Sequence, residues 1–481
     1  MRKSACLILA VVMTVLFCVG CNSATDSDLQ NASSSQSKEP TKESETKAIE
    51  QSNNQSKPYY YEEIRDFSDG LAWVTCGEDD KNKNNLYWGC IDKTGKLLFQ
   101  YKNRNIDIIK DFSNGYSYIS EKRKIYVIDK SGNICSSYET MEKRPNTNKH
   151  IFEDNREYIA AYGDGYVVTQ NHKTDFDNAY FLYTIYDAKG NVFDTYKTNN
   201  DGEIGVNYCG KGIFAFADDY ETKSFFFDEV YYKTNFYFCK SKQWVKTEYG
   251  DTNSAYFYDD TAVLDIVYSD GSDGYRADLV LMDTNGSISK VHLTSEYGDV
   301  FQTIGIINNI CFIYDVDTSL VTYDLKTEKL SQLTNKTYLE KINWEYFDNE
   351  DKSKLCFSDN IIALPLIGKD DEKYVAVFDK DWNTVLEPFK QTGVPAIKEG
   401  RFIIDGTVYD SSGKGKFNIN DKGYLGVNNY SDGVAYVVKQ SVAEKSSGGI
   451  ITDNDFTFIN TEGEALFNKI DTSDVDIKNL I

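Results

Sequence analysis

The chain has 481 residues, 75 of them Asp or Glu against 52 Lys or Arg, for a formal charge of −23. A chain this acidic repels phosphate backbones, which excludes nucleic acid as a partner. Aromatic residues make up 14% of it, Tyr alone numbers 36 and Pro only 6, a composition that favours strands because aromatic side chains suit a pleated, packed surface.

In chain order, the first element is a targeting segment. Arg2 and Lys3 form a positive start, Ala5 to Val19 is apolar, and Gly20 is a small residue before a cleavage site, as a secretory signal requires. An apolar run of about fifteen is short for a spanning helix, which needs roughly 20 residues. Residues 1–20 are therefore expected to be a signal peptide. The stretch LFCVGC, ending at Cys21, resembles the lipobox of bacterial lipoproteins, with Cys18 where Leu is usual. That resemblance implies that Cys21 is acylated and becomes the new N-terminus. It places the mature chain on the extracytoplasmic face of a plasma membrane. Residues 22–57 are Ser, Asn, Gln, Lys, Glu and Thr with little that is apolar, too little to offset their ordering entropy. With Cys21 they are expected to form a flexible tether, spanning roughly 30–35 Å by random-coil scaling.

From residue 58 the chain repeats itself. The stretch DFSDGLAWVTCGEDDKNKNNLYWGCIDKTGKLLFQY, Asp66 to Tyr101, reads as a strand at Leu71–Cys76, a polar loop, a strand at Leu86–Asp92, the turn Asp92-Lys93-Thr94-Gly95, and a strand at Lys96–Tyr101. Asp at the first turn position bonds forward to the backbone, and Gly at the fourth takes positive φ. The same turn returns at Asp129 to Gly132, Asp187 to Gly190, Asp283 to Gly286 and Asp410 to Gly413, with Asn460 standing in at Asn460 to Gly463. Asp324, Asp379 and a degenerate unit near Lys240 bring the anchors to nine, about 46 residues apart on average, the size of a four-stranded propeller blade. The expected fold is all-β: a β-propeller-like array of about eight blades, between seven and nine, each a four-stranded antiparallel sheet, over residues 58–470. Residues 471–481 are expected to be a C-terminal tail. Runs such as Phe225 to Phe238 and Asn309 to Val316 are apolar on both alternating faces, as sheets covered on both sides require. The best-preserved units are the first two and the last, which would be neighbours in a ring and could exchange a strand to hide their edges.

FSDGLAWV followed by YWGCIDKTGKLLF resembles the WG-repeat family of bacterial proteins. The match runs through Phe67, Gly70, Ala72 and Val74, then Trp88, Gly89, Ile91, Asp92 and Gly95, with Cys90 in place of the usual aromatic. The second unit keeps Phe112, Gly115, Ile128, Asp129 and Gly132; the last keeps Tyr430, Gly433, Ala435, Val437, Ile459 and Gly463. The resemblance implies a β-repeat architecture and an interaction role, and carries no catalytic residues with it.

No stretch of the chain carries a recognisable catalytic motif. SDGLAW at Ser68 is similar to the Asp-box of sialidase-like propellers, but Asp follows Ser directly, which suits a turn. His150, His172 and His292 are isolated, and no G-x-S-x-G, P-loop, H-E-x-x-H or dinucleotide fingerprint occurs. Acidic pairs such as Asp79-Asp80 and Asp370-Asp371 are plentiful in so acidic a chain, so adjacency alone does not mark a glycosidase. Trp244, Trp344 and Trp382 read as core or blade-end packing. Seven cysteines follow Cys21, an odd number without CxxC spacing, so neither a full disulfide framework nor a structural zinc site is expected. Cys76 and Cys90 flank one hairpin loop and are the pair that could bridge.

Following one unit strand by strand puts the tight turns at one end of the sheets and the variable loops at the other. Those loops include Gly77 to Asn85, EKRK at Glu121, NHKTDFDNA at Asn171, SDGSDGYR at Ser269, GKDDEK at Gly368 and SVAEKSSGGIITDND at Ser441. Their carboxylates Asp79, Asp80, Asp270, Asp273, Asp370 and Asp371 are the candidate binding residues, suited to a cationic partner. Calcium is the one ion they would suit, through Asp270 and Asp273; no cofactor is otherwise expected. Asp92, Gly95, Asp129, Gly132, Asp187 and Gly190 are the structural turn residues. The reading is a lipid-anchored, non-enzymatic monomer that binds a protein or glycan outside the cell membrane. Its rivals are a glycan-processing enzyme on the same scaffold and a spacer with no ligand.

Overall fold

The structure, a computed structural model, describes residues 60–77, 86–103, 106–139, 157–175, 178–198, 204–223, 229–247, 249, 255–257, 260–271, 274–293, 301–307, 309–315, 319–343, 357–358, 361–368, 371–391, 395, 397–439, 451–452 and 455–480. These residues form nine sheets that follow one another along the chain, against the expectation of about eight, between seven and nine. Five have four strands, three have three, and the first has six. The first is built from Tyr60–Ile64, Leu71–Gly77, Tyr87–Asp92 and Leu97–Tyr101, an antiparallel meander matching the strands read from the sequence. Eight of the nine anchors, Asp92 through Asp410 with the degenerate Lys240 included, fall in the turn before the last meander strand of a different sheet, and Asn460 follows the ninth sheet's last strand, Phe456–Ile459, ahead of the bridge between Ile459 and Ala465.

Why the sheets stack follows from the pleat. Successive residues of a strand point to opposite faces, and here both faces are apolar. Leu71 and Trp73 pack toward the second sheet, while Ala72, Val74 and Cys76 on the same strand pack toward the ninth. Val167 and Val168, and Ile361 and Ile362, divide in the same way. Nine buried clusters result, eight of them each joining one sheet to the next along the chain. In the remaining one Phe67 of the first sheet meets Phe458 of the ninth edge to face at 4.6 Å, so the array closes on itself. In each sheet after the first the last strand lies at its edge, and strands there such as Val192–Lys197 and Thr384–Lys390 are largely uncovered.

The expected exchange at the seam takes a two-sided form. The short strand Ile451–Thr452, from the ninth unit, pairs antiparallel with the free edge of Tyr60–Ile64. Asp476–Lys478 pairs in parallel with the opposite edge, Leu97–Tyr101. Residues 471–481, read as a tail from the sequence, thus supply a sixth strand to the first sheet. Cys76 and Cys90 do not bridge: both are free, and they lie on opposite faces, Cys76 toward the ninth sheet and Cys90 toward the second. Cys76, Cys90, Cys209, Cys239 and Cys311 are all buried, as small hydrophobes would be.

Candidate binding face

The two ends of the sheets differ in kind, and the turn end is knit together. In Ser68-Asp69-Gly70-Leu71 the backbone N–H and C=O of Ser68 and Leu71 bond to each other at 2.8 and 3.1 Å, with Asp69 at φ 55° and Gly70 at φ 84°. Two successive positive-φ residues define a type I′ turn, for which Asp-Gly is the favoured pair. That geometry leaves the Asp carboxylate free to reach the neighbouring sheet. Asp69 Oδ2 accepts the Gly115 N–H at 2.6 Å, and its Oδ1 meets Lys130 Nζ at 2.6 Å. One sheet back, Asp432 Oδ2 accepts the Gly70 N–H at 2.6 Å and Oδ1 lies 3.1 Å from Lys93 Nζ. Glu399 Oε2 accepts the Gly433 N–H at 2.9 Å. Ser431 and Ser68 donate forward to the Phe67 and Phe112 carbonyls at 2.8 and 2.7 Å. Sequence reasoning saw S-D-G and D-K-x-G only as turns. The missed signal was that in both pairs, Asp69 with Lys130 and Asp432 with Lys93, the Lys of one motif lies one unit on from the Asp of the other.

The turn residues Asp92, Asp129 and Asp187 bond within their own turns. Asp92 Oδ1 accepts the Thr94 and Lys96 N–H groups at 2.9 and 3.1 Å, and the Gly95 N–H donates to the Asp92 carbonyl at 2.9 Å with φ 81°. Asp129 with Gly132 and Asp187 with Gly190 repeat the pattern. Burial works to raise the Asp187 carboxyl, but its bonds from Asn191 and Lys189 outweigh it and hold the group below the ordinary carboxylate value. Ser412 and the Lys414 N–H hold Asp410 down to about 2. Asp66, at the same end, is pushed up by burial; Lys398, 3.9 Å away, acts against this and Asp111 adds to it. Asp111 and Glu399 are themselves engaged, by Arg65 at 3.9 Å and by the Gly433 N–H.

The opposite end varies. It holds two-residue turns at Lys122-Arg123 and Asp405-Gly406, so tight turns are not confined to one end as expected. In the third and fourth sheets the two middle strands, and in the three-stranded fifth the first two, instead outgrow their neighbours. Tyr166–Asp175 with Asn178–Tyr186, Ile213–Lys223 with Glu229–Phe238, and Thr261–Gly271 with Gly274–Asp283 run 9 to 11 residues, against 6 in the second sheet. Their flanking strands stop pairing at Gln170 and Leu182, at Phe216 and Thr234, and at Ala277. Beyond those points only two strands remain among the described residues, projecting on the order of 10–20 Å at about 3.3 Å per residue. The register sets Tyr220 opposite Tyr232 and Glu221 opposite Tyr231 in the fourth ribbon. In the third, Lys197 Nζ sits 3.7 Å above the Tyr180 ring.

Of the six candidate carboxylates, Asp79, Asp80, Asp273 and Asp370 lie outside the described residues, as do His150 and Trp344. Asp270 lies in the fifth ribbon opposite Tyr275. Asp371 is exposed at φ 56° in the seventh sheet's loop, beside Glu372, which binds Lys390 and the Tyr374 hydroxyl. Asp270 and Asp371 belong to different sheets, two apart along the array. No group of three or more metal-ligating side chains occurs among the described residues. Trp244 is packed as read: Tyr237, Tyr196 and Phe216 surround it at 4.7, 5.0 and 5.0 Å, and its Nε1 donates to Asp194.

A model of the WG containing repeat family matches residues 49–78. No curated protein matches the chain. Among solved structures the chain is similar to a eukaryotic initiation factor (9% identity, covering 84% of this chain and 86% of that one, TM-score 0.35). It is similar also to BamB from Moraxella catarrhalis (11%, 72% and 95%, 0.26) and to the beta-propeller domain of the Trilobed protease from Pyrococcus furiosus (8%, 87% and 98%, 0.29). At such scores the fold rests on the sheets themselves.

Proposed function

We propose that the protein is a lipid-anchored, extracytoplasmic binding protein that recognises a protein or glycan through the loop end of its sheets. The observation that carries this reading is the run of three adjacent sheets in each of which two paired strands outgrow the array at one end. A two-stranded ribbon gains little stability by itself, so lengthening three of them adds nothing to the packed body. At the turn end, Gly70, Gly115 and Gly433 are each held by a carboxylate of a neighbouring sheet, which leaves those turns little freedom to vary for a ligand. Loops and ribbons on a rigid scaffold have that freedom. The anchor rests on Cys21 and the apolar run before it.

Two measurements test the reading. Cys21→Ser releases the protein from membranes, since acyl chains supply roughly 0.8 kcal/mol per buried CH₂; retention after a salt wash would sink the anchor. Replacing residues 219–232 by Asn-Gly shortens the fourth ribbon to the two-residue form already present at Lys122-Arg123. This variant should keep its melting temperature and lose capture of envelope proteins or of arrayed glycans. Unchanged capture, with loss on altering Ser113 at the turn end, would reverse the assignment of the binding end.

A further inference from the structure

The outer edge of the first sheet carries a strand that the sheet does not need. Its four meander strands are complete without Asp476–Lys478, and the corresponding outer edge of the second sheet, Ile134–Glu139, has no partner strand among the described residues. Yet the segment from Ile470 to Leu480 is held at every step. Ile470 is 1% exposed and lies in the cluster between the ninth and first sheets. The Asp471 N–H donates to the Gly95 carbonyl at 2.8 Å, and the Asp471 carbonyl accepts the Leu97 N–H at 2.9 Å. The parallel pairing follows, with the Lys102 N–H donating to the Lys478 carbonyl at 3.0 Å. Lys478 Nζ reaches the Asn133 Oδ1 of the second sheet at 2.9 Å. Asn103 then grips the backbone of Leu480 from both sides, its Oδ1 accepting the Leu480 N–H at 2.7 Å and its Nδ2 donating to the Leu480 carbonyl at 3.3 Å. The Leu480 side chain, 7% exposed, enters the cluster between the first and second sheets. One short segment thus touches three consecutive sheets across the closing seam.

We infer that this edge is a binding site for an extended polypeptide, with the chain's own 469–480 segment as its resident occupant, and that the occupied site latches the ring. Its recognition has three parts. The Leu97–Tyr101 edge pairs with any backbone, as strand addition does. Asn103 reads the backbone at the far end, and the buried cluster selects a Leu-sized side chain there. Lys478 adds a bond to the second sheet. The latch crosses the seam between the ninth and first sheets on the side opposite the Ile451–Thr452 strand.

The test uses the full chain with a protease site inserted between Asn468 and Lys469, both exposed, cut after folding. A labelled peptide of residues 469–481, in large excess, should replace the resident segment, while uncut protein should not take it up. Leu480→Ala in the peptide, or Asn103→Ala in the protein, should weaken capture about tenfold or more, as loss of a buried Leu or of a paired backbone clamp does. Removing the segment should raise amide exchange in 60–76 and 97–102 and leave 213–216, far from the seam, unchanged. Failure of the peptide to exchange, equal capture of the Leu480→Ala peptide, equal uptake by uncut protein, or unchanged exchange at the seam would each overturn the inference.

Discussion

Gly95 and Gly70 share a backbone conformation but not an environment, which makes the pair a controlled experiment. Both have strongly positive φ, 81° and 84°. Ala at either should cost about 1 kcal/mol by left-handed strain. At Gly70 a Cβ would meet nothing within 4 Å; at Gly95 it would come within 2.5 Å of the Phe467 ring, which packs down from the ninth sheet. Overpacking of that kind adds about 1–3 kcal/mol. Gly70→Ala should therefore cost about 1 kcal/mol and Gly95→Ala about 2–4 kcal/mol. Urea unfolding followed by the fluorescence of buried Trp73 measures both, provided the slope with denaturant is unchanged. The decisive arm is the double-mutant cycle: in a Phe467→Ala background the cost of Gly95→Ala should fall back toward that of Gly70→Ala. Equal costs for the two single variants, or no coupling between Gly95 and Phe467, would refute the close-approach reasoning and leave only backbone strain.

Asp432→Ala removes the acceptor of the Gly70 N–H and the partner of Lys93; with both side chains about a third exposed it should cost about 1–2 kcal/mol, and a cycle with Lys93→Ala should assign less than about 1 kcal/mol to the ion pair. Asp410 and Asp324 are both held down to about 2. A depressed carboxyl contributes stability above its unfolded value, near 4, that is lost as pH falls through about 2, so acid titration of unfolding should be flatter in that window for Asp410→Asn. Asn at that position keeps the turn, because Asn460 already accepts the Glu462 and Glu464 N–H groups in the ninth unit. Burial pushes the Cys209 and Cys311 thiols up to about 12, so of these two and the half-buried Cys135, Cys135 should react first with a maleimide under native conditions; mass mapping that found Cys311 labelled first would contradict the core described above.

The sequence by itself determined what depends on neighbours a few residues apart. Asp92, Thr94, Gly95 and Lys96 close a turn by bonds spanning at most four residues, so the pattern recurs wherever the letters do and reveals the period. The unbroken apolar runs likewise revealed that the sheets are covered on both faces, since the pleat alone decides which way a side chain points. The tertiary structure decided what depends on partners far along the chain. Gly70 and Asp432 are 362 residues apart, and nothing local in S-D-G distinguishes a carboxylate that closes its own turn from one that holds the next sheet. The ribbons escaped notice because a longer strand and a longer loop of the same polar and aromatic letters differ only in whether a partner strand lies opposite. Residues 471–480 read as a tail because they are polar and short. They became a strand because the first sheet offered an open edge beside two apolar seams, and an isolated three-residue strand has no such preference of its own.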